Sequence, residues 1–467
     1  MGINTGGLMW AGGKAFLIVL VLTPIVRDIF RSYNVVDRPG RRKVHRYPIP
    51  RVGGIPIAIA YVVSLISSSS SSSLPGQDLT TWKLLPGVAV IFLVGLLDDF
   101  FNLRPVVKLL GQMLAVGMVF AYGLRIETVA QVSLPMWLSL PVTVLWLLLV
   151  TNALNLIDGL DGLCAGMGLL ATLTLFGAAW IQGNYALAHA TFPLVGALLG
   201  FLGYNFNPAT VFLGDAGAML IGFLLGCYGM IWTQKTATLL SVTVPIVALS
   251  IPLMDVLLSV VRRYLHRQPI FSADRGHIHH RLLDRGLSPR RAVLVLYLIA
   301  TIGATFALLL TYPLLRSFHG ILVAGLFIAI WASIRQLRYA EFVVAGRLLF
   351  RGEFQRALEG KLRLEKLAAA LRRSNTQEEV WDVLANACKE AGWVRLKWTG
   401  NDFAREYVAA KQIPTWSFVV VLGEQGEVQI EGGLPSGQTS VDLVAFADTL
   451  SSSMNRTRQE LRPATLS

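Results

Sequence analysis

Carboxylates, amides and histidines gather at the ends of apolar runs in this chain, and five such clusters carry side chains able to do chemistry. Asp98-Asp99 closes one apolar run and is followed by Lys108 and Gln112. Two adjacent carboxylates beside lipid repel each other and stay ionised only when a cation or a lysine neutralises them. They suit a metal-associated or general-base pair with Lys108 as partner or phosphate contact; a solvated helix end is the plainer alternative. Next, Asn152, Asn155 and Asp158 are spaced by three, so on a helix they form one slowly drifting stripe. Asp158-Gly159 and Asp161-Gly162 then break the helix and free backbone groups at the same place. Carboxylate and amide oxygens with no histidine or thiolate close by suit Mg²⁺ better than zinc. A polar stripe that only joins helices is the alternative. In Phe212-Leu213-Gly214-Asp215-Ala216-Gly217, Asp215 sits where a helix begins, either as an ordinary cap or beside a phosphate and its cation. Asp274-Arg275-Gly276-His277-Ile278-His279-His280-Arg281 invites a zinc reading, but flanking arginines and the lack of a completing ligand pair favour diphosphate binding. Finally, Asp37-Arg38-Pro39-Gly40-Arg41-Arg42-Lys43-Val44-His45 and Pro48 to Gly54 make a basic loop, which sets topology and has the turn residues of a shaped segment.

These groups need a scaffold, and the composition says what kind. Of 467 residues, 54% are hydrophobic and 15% charged. A soluble protein carries nearer 25% charge, so the chain reads as an integral membrane protein. The net charge of +13 could indicate nucleic acid, but in a membrane protein it fits cytoplasmic loops, an anionic leaflet and phosphorylated substrates, and no nucleic-acid partner is expected. Cys164, Cys227 and Cys388 have neither metal spacing nor a disulfide framework. Met1 to Leu22 lacks the charged start and cleavage site of a removed signal and reads as part of a first membrane helix.

Apolar runs of about 17–25 residues give an all-α polytopic membrane protein with about eleven transmembrane helices: 8–30, 52–72, 83–97, 105–123, 137–155, 163–182, 186–204, 212–232, 237–258, 291–312 and 319–335. Ser67 to Ser73 is a serine tract at a helix end. Arginines and lysines crowd residues 31–51 and 262–291, whereas the alternate loops hold single charges, which puts the N-terminus outside and the C-terminus inside. All five polar clusters then face the cytoplasm together. The membrane domain is assigned to residues 1–335. Residues 336–373 alternate basic and apolar side chains in the manner of an amphipathic surface helix. Residues 374–467 read as a small cytoplasmic α/β domain, with a helix over 376–391, strands over 393–399, 416–422 and 427–431, and a closing helix over 440–461.

In their order and spacing, the motifs of residues 27–290 resemble the polyprenyl-phosphate N-acetylhexosamine-1-phosphate transferases, of glycosyltransferase family 4 type. Members move a sugar-1-phosphate from a UDP-sugar to a polyprenyl phosphate and release UMP. The His277-Ile278-His279-His280-Arg281 cluster is similar to the bacterial branch that uses UDP-N-acetylglucosamine with undecaprenyl phosphate, and less so to the branch that transfers muramoyl-pentapeptide phosphate. Ala218 departs from the family's usual serine, and the tail beyond about 340 has no counterpart in the family core.

The resemblance implies that Asn155 and Asp215 hold Mg²⁺, or Mn²⁺, against the diphosphate. Asp98 and Asp99 would deprotonate or position the lipid phosphate, or help hold the metal. Asp158 and Asp161 would orient nucleotide or sugar. Lys108, His277, His279, His280, Arg275 and Arg281 would offset phosphate charge, with His45 and Asn152 as further substrate-binding candidates. It implies a multi-pass protein of the inner (cytoplasmic) membrane acting at the start of surface-glycan synthesis, with a homodimer as an allowed assembly. A secondary transporter is the rival from another class, but transporters place their ionisable groups near mid-membrane in repeated broken helices. Here the acids sit at helix ends.

Overall fold

The computed structural model describes residues 5–37, 47–69, 77–129, 132–235, 242–265 and 276–337. It also describes residues 364–450, apart from 365, 372, 375, 392, 401–402, 409–414, 423–425, 433–445 and 449. The chain divides into two units, Met1–Tyr339 and Ala340–Ser467.

The first unit is helical, in the order α1 (Thr5–Ser32), α2 (Gly54–Ser69), α3 (Gln77–Phe101), α4 (Pro105–Ala121), α5 (Met136–Ile157), α6 (Leu163–Ile181), α7 (Tyr185–Asn205), α8 (Gly214–Lys235), α9 (Thr243–Ala248), α10 (Ser250–Leu265), α11 (Ile278–Asp284), α12 (Pro289–Thr311) and α13 (His319–Leu337). A short antiparallel pair, β1 (Thr128–Val129) with β2 (Val132–Ser133), lies between α4 and α5 in the chain. Among the described residues seven helices are long and apolar enough to cross a membrane, and three shorter apolar helices accompany them. The protein is therefore a multi-pass membrane protein. The expected span over 237–258 is not one helix. α9 stops at Ala248 and α10 restarts at Ser250, because Pro252 has no N–H to offer the carbonyl of residue 248.

Lipid is as apolar as leucine, so these helices are held by close packing and interhelical hydrogen bonds rather than by a hydrophobic drive. α8 is the hub: 94% of its apolar window is buried, and α3 and α5 pack along it. A Cβ on Gly95 of α3 would lie 2.5 Å from the Ala216 Cα, and one on Gly222 would lie 2.8 Å from the Thr151 Cα. Only glycine permits that approach, which brings the ends of α3, α5 and α8 together. Buried hydroxyls add specificity. Tyr61 lies 2.7 Å from the Tyr228 hydroxyl, itself 2.9 Å from the carbonyl oxygen of Ala190.

The second unit contains α14 (Gln377–Ala391) and an antiparallel sheet of β3 (Arg395–Thr399), β4 (Ala404–Val408), β5 (Trp416–Val421) and β6 (Glu427–Gly432) in the order β4-β3-β6-β5. Leu396 pairs with Ile430, and Trp398 with Val428. These four pack in one core with Leu384 and Cys388 of α14, while Arg395, Lys397 and Thr399 alternate to the other face. The helix over 376–391 and three strands fall where the sequence puts them. The fourth strand, β4, is additional, and among the described residues every pairing is antiparallel, so this is a helix-and-antiparallel-sheet domain rather than α/β. Of the expected surface helix over 336–373 and the closing helix over 440–461, most residues lie outside the described ones.

Candidate active site

The C-terminal ends of α3 and α5 meet the N-terminal end of α8. Asp99 spans the gap: its Oδ1 accepts the Asp215 N–H at 2.8 Å and its Oδ2 the Ala216 N–H at 2.9 Å. Asp99 thus caps α8 from another helix, satisfying two of the N–H groups that a helix start leaves unpaired. Gly214 makes room, with φ +76° and a position where a Cβ would sit 2.7 Å from the Asp99 Oδ2. The preceding carboxylate is also engaged. Asp98 Oδ1 accepts the Leu103 N–H at 2.8 Å, and Oδ2 lies 2.6 Å from Lys108 Nζ. The same ammonium lies 3.0 Å from Asp215 Oδ2, while Asn155 Nδ2 donates to Asp215 Oδ1 at 3.0 Å. Asp98, Lys108, Asp215 and Asn155 therefore form one chain of contacts across α3, α4, α8 and α5.

Two loops wall the site. Pro50 to Gly54 runs parallel to Phe212 and Leu213: the Phe212 N–H donates to the Pro50 carbonyl, and the N–H groups of Gly53 and Gly54 donate to the carbonyls of Phe212 and Leu213, each at 2.9 Å. This ladder holds Arg51 at the rim, 3.2 Å from Asp37. On the other side, Asp161 Oδ2 accepts from Asn207 Nδ2 at 3.0 Å and from the Ala209 N–H at 3.1 Å. Asn205 accepts the Gly162 N–H and donates to the Val211 carbonyl. Between the loops lies a cavity of about 260 Å³ lined by Asp37, Arg51, Asp158, Asp161, Asp215 and His280, among others.

Asp158 terminates α5 with its carboxylate on that cavity and no donor to it among the described residues. Burial, then Asp215 and Asp99, with a smaller push from Asp161 against the opposing Arg51, raise its pKa to about 8. His277 and His279 are buried, and of the three histidines only His280 lines the cavity. Burial and the neighbouring His280 and His277, against an opposing Asp255, push His279 down to about 4, so it is neutral at physiological pH.

The expected residues are thus brought to one place in different capacities. Asp158, Asp161, Asp215 and His280 line the cavity; Asp98, Asp99, Lys108 and Asn155 stand directly behind Asp215. Asn152 is turned away. It exchanges hydrogen bonds with Gln112, at 2.8 and 3.2 Å, and joins α5 to α4. Arg281 donates to the Gly276 carbonyl at 3.2 Å. His45 and Arg275 lie outside the described residues.

Arg51 and Asp37, from the basic loop, also line the cavity, as do Asn205 and Asn207 ahead of α8, and Asp255 belongs to none of the five clusters. The signal for Asp255 was available, since a lone carboxylate inside an apolar run is costly and needs a reason.

Residues 81–233 match the model of the family described as glycosyl transferase family 4. A probable undecaprenyl-phosphate N-acetylglucosaminyl 1-phosphate transferase of Bacillus subtilis is 37% identical over 301 residues, 63% of this chain and 83% of that protein. A decaprenyl-phosphate N-acetylglucosaminephosphotransferase of Mycobacterium tuberculosis is 33% identical over 329 residues, covering 64% and 81%. An undecaprenyl-phosphate alpha-N-acetylglucosaminyl 1-phosphate transferase of Escherichia coli is 29% identical over 315 residues, covering 64% and 82%.

Proposed function

The chain belongs to glycosyl transferase family 4, and we propose that it transfers N-acetylglucosamine-1-phosphate from UDP-N-acetylglucosamine to a polyprenyl phosphate such as undecaprenyl phosphate, releasing UMP. The observation that carries this reading is the meeting of Asp158, Asp161, Asp215, Arg51 and His280 in one cavity at the ends of apolar helices. There a lipid tail can stay in the bilayer while its phosphate meets a water-soluble donor.

The balanced step is a phosphoryl transfer. An oxygen of the lipid phosphate bonds to the sugar-bearing phosphorus, and that phosphorus releases the bridging oxygen, which leaves with its electron pair as UMP. Catalysis of such transfers is mainly positioning and charge neutralisation. Arg51 is the guanidinium on the cavity wall for the diphosphate, with the His280 ring beside the same cavity, and Lys108 balances Asp98 and Asp215 behind it. Asp98 and Asp99 already accept hydrogen bonds on both oxygens, which supports direct attack by the lipid phosphate and gives these two acids a positioning role. Asp158, protonated below about pH 8, can donate a hydrogen bond to a phosphate or sugar oxygen.

The site residues fit Mg²⁺. Among the described residues no three His, Cys, Asp or Glu side chains are grouped to hold a metal ion. Asp215 and Asn155 offer carboxylate and amide oxygens, the incomplete set that Mg²⁺ accepts when substrate phosphates and water supply the rest. Bound there, Mg²⁺ would offset the diphosphate charge and polarise the bond that breaks.

We further infer about eleven membrane crossings, the broken α9–α10 segment counting as one, with the cavity and the C-terminal domain facing the cytoplasm across the inner membrane. The basic clusters at 31–51 and 262–291 support this orientation.

The test is UMP release by detergent-solubilised protein given UDP-N-acetylglucosamine, polyprenyl phosphate and MgCl₂. Asp215→Ala and Asn155→Ala should each abolish the magnesium-dependent rate. Normal turnover in both variants would sink the metal assignment, and no UMP from the unmodified protein with any UDP-N-acetylhexosamine would sink the activity. Sugar-phosphate left on the protein after incubation with donor alone would overturn direct attack.

A further inference from the structure

His280 faces the cavity, and two other histidines are packed behind it with a carboxylate at the far end. Asp255, on α10, is 2% exposed. Its Oδ1 accepts the Ile278 N–H at 2.8 Å, and its Oδ2 lies 2.9 Å from His277 Nδ1. Ser259 Oγ lies 3.4 Å from the same ring nitrogen. Through its two oxygens, one acid meets both the ring of His277 and the first turn of α11. The His277 ring lies parallel to that of His279, with centroids 5.7 Å apart and planes 5° apart, and the His279 ring lies 4.3 Å from that of His280. His279 is itself confined: a Cβ on Gly159 would stand 2.4 Å from its Nε2, so the spacer ring presses on the turn next to Asp158.

We propose that Asp255 is a positioning residue for His280, acting through the His277–His279 stack to hold the His280 ring on the donor's phosphates. The proposal rests on the cavity being the UDP-sugar site. A mere anchor for α11 would need one acceptor oxygen for Ile278; the second oxygen, on a ring that leads to the cavity, is what points to positioning. Asparagine does not reproduce it. With its one oxygen on the Ile278 N–H, its amide nitrogen would face His277 Nδ1 and force the other tautomer, moving the ring hydrogen to Nε2 at the side away from the acid.

The experiment is a double-mutant cycle on UMP release, with Asp255→Asn, His280→Ala and the pair in the full-length protein, and kcat and donor KM measured separately. The unmodified protein runs alongside, so an inactive parent identifies a failure of the proposed reaction, whereas an active parent lets the cycle judge Asp255. Expected is a fall in kcat of about tenfold or more in each single variant, with the double variant no more than about twofold below the weaker single. Losses that multiply would overturn the proposal, as would full activity in either single variant. If Asp255→Asn does not fold, His277→Ala takes its place in the same cycle with the same outcomes, since it breaks the same link while leaving the carboxylate on Ile278.

Discussion

Replacing Lys108 with methionine keeps the length of the side chain and removes its charge from between two acids. The ammonium lies 2.6 Å from Asp98 and 3.0 Å from Asp215, with side-chain exposures of 17%, 9% and 36%. At an effective dielectric constant near 20 the two attractions are worth roughly 6 and 5 kcal/mol before desolvation. Desolvating the lysine offsets several kcal/mol of this, and the half-open Asp215 is screened further. Breaking a buried pair nets about 3–5 kcal/mol. The lower end applies here, so kcat should fall about 10²- to 10³-fold. A second readout separates charge from packing. With the ammonium gone, Asp98 and Asp215 carry uncompensated negative charge, so half-maximal activity should need less Mg²⁺ even as kcat drops. The assay is a magnesium titration of UMP release at saturating donor and lipid phosphate, with melting measured in the same detergent. Lys108→Arg serves as control; it should melt near the parent and recover only part of the rate, because a planar fork does not reproduce a point charge between two carboxylates. Parental kcat in Lys108→Met, or a raised magnesium requirement, would refute the reasoning.

Gly214→Ala forces a left-handed residue to carry a Cβ 2.7 Å from the Asp99 carboxylate. It should cost about 1–3 kcal/mol of stability and most of the activity, and a melting point within about a degree of the parent would count against the cap. Asp158 has a folded-state pKa of about 8 against an ordinary 3.8. A raised pKa stabilises the folded protein fully at low pH, and the gain is lost as pH rises from about 4 through 8. Ligand-free protein should therefore melt lower at pH 8 than at pH 6, by at most about 1.4 kcal/mol per unit from this group, and Asp158→Asn should flatten that slope. Removing Ala340–Ser467 deletes no residue of the cavity wall. UMP release should survive within about threefold, and complete loss would show that the C-terminal domain takes part in catalysis.

The apolar runs were legible because a membrane helix must be long and continuously apolar, a constraint strong enough to read without neighbours. It fails at 237–258, where composition satisfies the length rule and Pro252 breaks the hydrogen-bond ladder. β4 is not legible in the sequence because Ala404, Arg405, Glu406, Tyr407 and Val408 show no alternation of apolar and polar residues; its place comes from pairing with β3. The site clusters were legible as polar groups in costly positions. What sequence spacing could not give was their division of labour. Asp99 caps α8 through the N–H of a residue 116 positions later, a relation with no local signal. The three histidines look equivalent in sequence. In the folded chain His277 turns to Asp255 and only His280 reaches the cavity.

That division follows from what already occupies each carboxylate. Both oxygens of Asp99, and one each of Asp98 and Asp161, accept backbone N–H groups. A ligand could claim those oxygens only by unravelling a helix start or a turn, leaving buried N–H groups unpaired at about 1–3 kcal/mol apiece. Asp215 is different. Its oxygens meet the ends of two side chains, Lys108 and Asn155, which can swing aside by rotation about single bonds. Asp158 has no donor to displace among the described residues. Of these five acids, Asp215 and Asp158 are the two that hold no backbone N–H, and both line the cavity, whereas Asp98 and Asp99 do not. The adjacent pair that stands out in the sequence is the frame of the site, and the acids proposed to receive substrate are Asp215, at the helix start that Asp99 caps, and Asp158, at the end of α5.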